Sequence, residues 1–317
     1  HEYYLKPDDV LEAIPLIAGT YDEPFANESA VPTYFCARQA ARDGVRIMLA
    51  GDGGDEIFGG NERYAKQLVF EHYDRVPRFL RKGLVEPIAG GIPGGEAIMP
   101  VRKLRSYIRQ ASIPLPERME SYNFIYRQPL GEMFHPDFIS TVDPDMPAAM
   151  LREVYASADA GHTVNRMLHL DMKFTLADND LRKVSRMCEA AGIEVRYPLL
   201  DEALVEFSGQ IPVNYKVRGR RLRWFFKEAL KDFLPREIIT KSKHGFGLPF
   251  GIWAMTHEPL RELVDDTLDK FGERGYLQPS YIRNIRNLHA REHATYFGKM
   301  IWVMLILELW LQTHTDG

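Results

Sequence analysis

Two carboxylates, Asp52 and Asp55, stand three positions apart in Gly51-Asp52-Gly53-Gly54-Asp55-Glu56-Ile57-Phe58-Gly59-Gly60. Carboxylates are hard oxygen ligands, and Mg2+ takes one or two of them together with phosphate oxygens and water. Gly51, Gly53 and Gly54 permit positive backbone angles and let a bulky polyanion approach the main chain. Asp55 is the preferred metal contact, while Asp52 suits a second ligand or the orientation of an incoming amine. Glu56 could instead cap the following turn. The same composition also fits an acidic surface turn, and spacing alone leaves both readings open.

Cationic groups recur in three other places. Lys241-Ser242-Lys243-His244-Gly245-Phe246-Gly247-Leu248-Pro249 sets two lysines in a glycine-punctuated loop. A lysine there could meet a transferred phosphoryl group or pyrophosphate, or simply be solvated while Phe246 and Leu248 anchor the loop. Arg218, Arg220, Arg221 and Arg223 form a basic cluster. It reads as a solvated turn and helix start, or as an anion site facing Asp52. On a helix, Asp178, Arg182 and Arg186 share one face, as an ion-pair ladder or a fork for a carboxylate. Glu194 and Arg196 point the same way if their segment is extended.

The elements that must position these groups are legible from periodicity. Asp8 and Asp9 precede Val10, Leu11 and Ile14 and predict the start of a short helix. Val31 to Arg42 predicts a second, which Gly44 can close. Val45 to Ala50 then predicts a short strand running directly into Gly51. In open α/β sheets ligands gather beyond the carboxyl ends of strands, where such a turn would lie. From Asn61 onward the character is mainly helical, with breaks around Pro87 to Pro100. His162 to Ala191 predicts one long helix, or two joined near Phe174 to Asp178, stopped by Gly192. Arg221 to Phe233 predicts another.

Bulk properties narrow the classes. At 317 residues with 45% hydrophobic content, the chain can fill one large core or two smaller ones. A formal charge of -4 gives no general reason to expect nucleic acid. Cys36 and Cys188 are the only cysteines, which excludes a disulfide-dense scaffold and makes a reducing cytoplasm the simpler expectation. The apolar stretch Ile301 to Leu307 is too short for a membrane span before Glu308 interrupts it, so a buried terminal helix is expected.

Taken together, the chain resembles the synthetase domain of glutamine-dependent asparagine synthetases and their amidotransferase relatives. Three segments carry the likeness: Leu49 to Gly60, then Glu194-Val195-Arg196-Tyr197-Pro198-Leu199-Leu200-Asp201, then Lys243 to Pro249. Asp22-Glu23-Pro24-Phe25 and Ala30 to Tyr34 match a further common segment. The likeness implies an α/β class. Its expected form is an incomplete adenine-nucleotide alpha-hydrolase-like parallel sheet over residues 1–75, with a large helical extension over 76–317.

The same resemblance implies ATP and Mg2+, activation of a small-molecule carboxylate as an acyl-adenylate, and ammonia delivered by a separate glutaminase domain. Aspartate is the expected acceptor. Asp55 would bind Mg2+–pyrophosphate, Asp52 would sit beside the reacting carboxyl or amine, and Lys243 would stabilise negative charge. Gly51, Gly53 and Gly54 would approach the nucleotide, with Asp178, Arg182, Glu194 and Arg196 as candidate substrate contacts.

Relatives carry a Ser-Gly-Gly-x-Asp-Ser pyrophosphate loop that does not occur in these residues, nor does a glutaminase domain. The expectation is a C-terminal part of a larger protein with little turnover by itself. Many relatives also have an aspartate where this chain has Ser185, which leaves other carboxylates open as acceptors. The competing reading is a non-catalytic helical interaction or assembly module.

Overall fold

The computed structural model describes residues 1–74, 77–80, 99–241 and 245–316. Helix α1 spans Pro7–Thr20 and α2 spans Ala30–Arg42. Asp8 and Asp9 lie in the first turn of α1, which starts a little earlier and runs further than the short helix expected. Helix α2 ends at Asp43, with Gly44 left-handed at φ 80°. Strand β1, Ile47–Leu49, follows, then the five-residue α3, Gly54–Phe58, and α4, Glu62–Asp74.

The architecture is a mostly helical α/β fold with one small parallel sheet. Strand β1 pairs in parallel with β2, Glu194–Arg196, so that Ile47 faces Glu194 and Leu49 faces Arg196. The partner of β1 thus comes from the segment expected to form the helical extension. The inward residues Met48 and Val195 pack with Ala37, Cys188 and Ile193, while Ile47 and Leu49 remain exposed on the other face.

Between the strands, the helical run expected over His162 to Ala191 is present but not uniform. Thr163–Asp171 and Arg182–Ala190 are α-helical, and Met172–Leu181 between them is a π-helix. Its wider i→i+5 bonding takes side chains off the i, i+4 register, and such segments occur often at functional sites. Of Arg221 to Phe233, only Trp224–Ala229 is helical, because Arg223 is left-handed and blocks an earlier start. Lys243 and His244 lie outside the described residues, as does most of Pro87 to Pro100.

The largest core is built around Ala294–His314, a 21-residue helix. By length and composition it could cross a membrane. Its apolar residues, among them Trp302, Met304 and Leu305, are instead buried against α1 and the helices Phe250–Thr256, Glu258–Glu273 and Pro279–Arg291. Its buried Glu308 is paired with Arg274. Gly251 and Gly298 let two of these helices touch backbone to backbone, since a Cβ on Gly298 would come within 2.5 Å of the Gly251 Cα.

Candidate active site

The site begins where β1 ends. Ala50 donates its N–H to the Arg196 carbonyl at 2.9 Å, carrying the parallel pairing one residue beyond the strand. The chain then turns through Gly51 to Gly54. Gly53 adopts φ 91°, and a Cβ there would stand 2.2 Å from a methyl of Leu200. The segment after β2 therefore packs onto the glycine turn, and Asp201 caps the helix that follows by accepting from the Ala203 and Leu204 N–H groups. The Glu194 to Asp201 motif thus shapes the turn that carries the two aspartates.

Asp55 lies in α3 and points back under Gly60, where a Cβ would be 1.7 Å from its Oδ1. Arg223 Nη1 stands 3.3 Å from that oxygen. Arg223 is the one described non-glycine residue with positive φ, at 52°, a conformation that costs about 1–3 kcal/mol. Its N–H donates to the Gly59 carbonyl at 3.2 Å, which ties the strained residue to the end of α3. The basic cluster does face the acidic segment, and its contact is with Asp55.

Asp52 is half-buried, and burial pushes its carboxyl up, opposed by Lys183 and reinforced by Asp180. The π-helix and the helix after it bring these two residues to Asp52, with Lys183 Nζ and Asp180 Oδ1 at 2.7 Å from each other. Behind α3, Glu56 is buried and pushed up to about 7, mainly by burial, with Asp55, Asp171 and Asp180 adding repulsion. It is an interior side chain, not the turn cap the sequence suggested. Asp171 is buried as well, accepts from Tyr64 Oη and pairs with Arg63 at 2.6 Å.

Arg223 also lines a cleft of about 1050 Å³. Gly60, Asn61 and Arg63 line one side, Arg220, Arg221, Trp224 and Lys227 another, with Lys241 and Gly245 at its edge. A second cleft, of about 740 Å³, takes Asp178 with Glu23, Asn179, Tyr122 and Lys299. Arg182 pairs with Asp22 and Glu23, not with Asp178, and Arg186 turns to Glu189. Glu194 and Arg196 share a face as expected and pair with each other at 2.6 Å, exposed. The four candidate substrate contacts thus divide between the second cleft's surroundings and the open sheet face.

Sequence reading missed Asp180 and Lys183 as neighbours of the acidic turn. No local signal could supply them, because Asp180 lies on a π-helix and Lys183 on the helix after it, and packing of those helices alone sets which residues reach Asp52. Among the described residues there is no cluster of three or more His, Cys, Asp or Glu side chains able to hold a metal ion. Asp52 and Asp55 are the carboxylates of the turn, a number that Mg2+ on phosphate oxygens would need from a protein.

A parallel strand ending in a glycine turn, with an acidic helix start near a cation-lined cleft, defines the class: an α/β protein with a candidate site beyond the carboxyl end of a strand. The sequence profile of the family described as asparagine synthase matches residues 1–312, and the chain belongs to that family. It is 24% identical over 307 residues to asparagine synthetase (glutamine-hydrolyzing) 1 of Bacillus subtilis, covering 96% of this chain and 46% of that relative. It is 27% identical over 318 residues to a putative asparagine synthetase (glutamine-hydrolyzing) of Mycobacterium tuberculosis, covering 96% of this chain and 45% of the relative. A shorter stretch of 81 residues is 41% identical to a putative asparagine synthetase (glutamine-hydrolyzing) 2 of Methanocaldococcus jannaschii, covering 26% of this chain and 16% of the relative. The chain spans less than half the length of the two relatives that it matches almost throughout.

Proposed function

We propose that this chain forms the acidic half of an ATP-dependent amide-forming site, in which a carboxylate is activated by adenylation and then taken by ammonia. The observation that carries the reading is the pairing of Asp55, beside the glycine turn, with Arg223, which lines the adjoining cleft: a carboxylate for a cation and a guanidinium for phosphate oxygens. In the activation step the acceptor carboxylate attacks the α-phosphorus of ATP and pyrophosphate leaves. In the second step ammonia attacks the acyl carbon, AMP leaves, and the nitrogen gives up its extra proton.

Asp55 would hold Mg2+ through its carboxylate, and the ion when bound would neutralise charge on the leaving pyrophosphate. Arg223 orients the phosphate oxygens through its fork. Asp52, raised by burial, is suited to sit beside the amine and take its proton, with Lys183 limiting how far the carboxyl rises. Lys243 is assigned charge stabilisation on the phosphate or the intermediate. Gly51, Gly53 and Gly54 keep the turn low enough for the nucleotide, in a sheet of the adenine-nucleotide alpha-hydrolase-like kind.

Aspartate is the first acceptor to test, with ammonia supplied from glutamine by a glutaminase domain and the reaction placed in the cytoplasm. The relatives' names support that choice of reaction. The test is pyrophosphate release by the natural full-length protein with ATP, Mg2+, ammonia and a panel of carboxylic acids. Asp55→Asn is expected to lower kcat roughly 100-fold or more. Full activity of Asp55→Asn, or no pyrophosphate with any acid, would sink the reading.

A further inference from the structure

We propose that Arg63 is a further phosphate contact of the nucleotide, and that Asp171 and Thr175 are positioning residues which hold its guanidinium at the cleft. This rests on the ligase reading above and adds to its phosphate side a group that belongs neither to the acidic turn nor to the basic cluster. Arg63 is the second residue of α4 and lines the cleft together with Gly60, Asn61 and Arg223. Its Nη2 donates to Asp171 Oδ1 at 2.6 Å and to Thr175 Oγ1 at 3.3 Å, while Nε is buried without a partner. A guanidinium is a rigid planar fork of donors, so anchoring one corner fixes where the others point.

The anchors are themselves fixed. Asp171 is buried and also accepts from Tyr64 Oη, and Thr175 Oγ1 donates to Asp171 Oδ1 at 3.1 Å. Burial pushes the Asp171 carboxyl up, opposed by the Arg63 charge and by hydrogen bonds from Tyr64 and Thr175. Asp171 ends the helix Thr163–Asp171, and Thr175 belongs to the π-helix that follows it. The far end of that π-helix carries Asp180, one of the charges acting on Asp52. One helical run therefore sets both the arginine of the cleft wall and a group beside Asp52.

Stability alone is a poor account of this arrangement. Taking two charges out of water costs nearly as much as their attraction returns, and apolar side chains of the same volume often stabilise a core as well or better. Here the cation of the pair stands in the wall of the cleft, where a fork of donors can meet phosphate oxygens.

The test is equilibrium binding of ATP and of adenosine to the natural full-length protein. Arg63→Met with Asp171→Asn removes both charges together, so no unpaired ion stays buried. It is expected to weaken ATP at least about tenfold and to leave adenosine unchanged. Asp171→Asn alone takes away a negative charge, and simple attraction would then tighten ATP. Loss of the anchor should instead weaken ATP about threefold or more, again without an effect on adenosine. Thr175→Val should weaken ATP about twofold, and Thr175→Ser, which keeps the hydroxyl, should restore it.

Unaltered ATP affinity in the double variant, equal losses of ATP and adenosine, tighter ATP binding by Asp171→Asn, or wild-type affinity in Thr175→Val would each overturn the proposal. None of these would touch the ligase reading, which stands or falls on pyrophosphate release by the unaltered protein.

Discussion

Arg223 reaches Asp55 from a backbone that an arginine ordinarily avoids: Nη1 is 3.3 Å from Oδ1 while φ stands at 52°. The contact pairs the Asp55 carboxylate with a guanidinium that also lines the cleft. The strain is separable from the contact by substitution. Arg223→Gly relieves it and Arg223→Ala does not, although both lose the ion pair. In urea denaturation the glycine variant should be the more stable of the two by about 1 kcal/mol, and equal midpoints would mean the left-handed conformation costs nothing.

Gly60 gives the carboxylate its place. A methyl at Gly60 would stand 1.7 Å from Asp55 Oδ1, so the side chain or the turn must shift. Gly60→Ala is expected to destabilise the fold by about 1–3 kcal/mol. It should also weaken binding of Mg2+–pyrophosphate, measured by calorimetry on the natural protein. Unchanged binding would show that Asp55 does not depend on the space Gly60 leaves.

The buried pair behind the turn has a different signature. Asp171 satisfies Arg63 and accepts from Tyr64, and its removal strands a largely buried guanidinium. Asp171→Ala should cost about 3–5 kcal/mol, the range for breaking a buried pair from one side. Tyr64→Phe should cost less, about 1–2 kcal/mol, because it removes one hydrogen bond and leaves the charges matched. Chemical denaturation of both variants checks the order, and a reversed order would refute the assignment.

Glu56 should make stability depend on pH. Its folded-state pKa is raised to about 7 from an ordinary value of 4.5, so the native state holds the proton more tightly than the unfolded chain. The stabilisation is complete below about pH 4.5 and is lost as pH rises through 7, on the order of 3 kcal/mol in all. Glu56→Gln removes this dependence. The wild-type minus variant stability should therefore fall between pH 5 and 8, and a difference that is flat or rises would exclude a protonated Glu56.

Local rules determined much of this protein from sequence alone. The strand before Gly51, the close of α2 at Gly44 and the break at Gly192 follow from apolar runs and left-handed glycines, which depend only on near neighbours. The motif order likewise carried the family, and Asp52 and Asp55 stand on the turn where a strand-end site belongs. Tertiary structure decided the partners. Nothing near Asp55 in the chain specifies Arg223, nor does anything near Asp52 specify Asp180 and Lys183, which the π-helix and the helix after it bring into place. Arg182 likewise took Asp22 and Glu23 in place of a ladder partner on its own helix. Charge pairing acts through space over a few ångströms, and which groups come that close is set by packing of the whole chain.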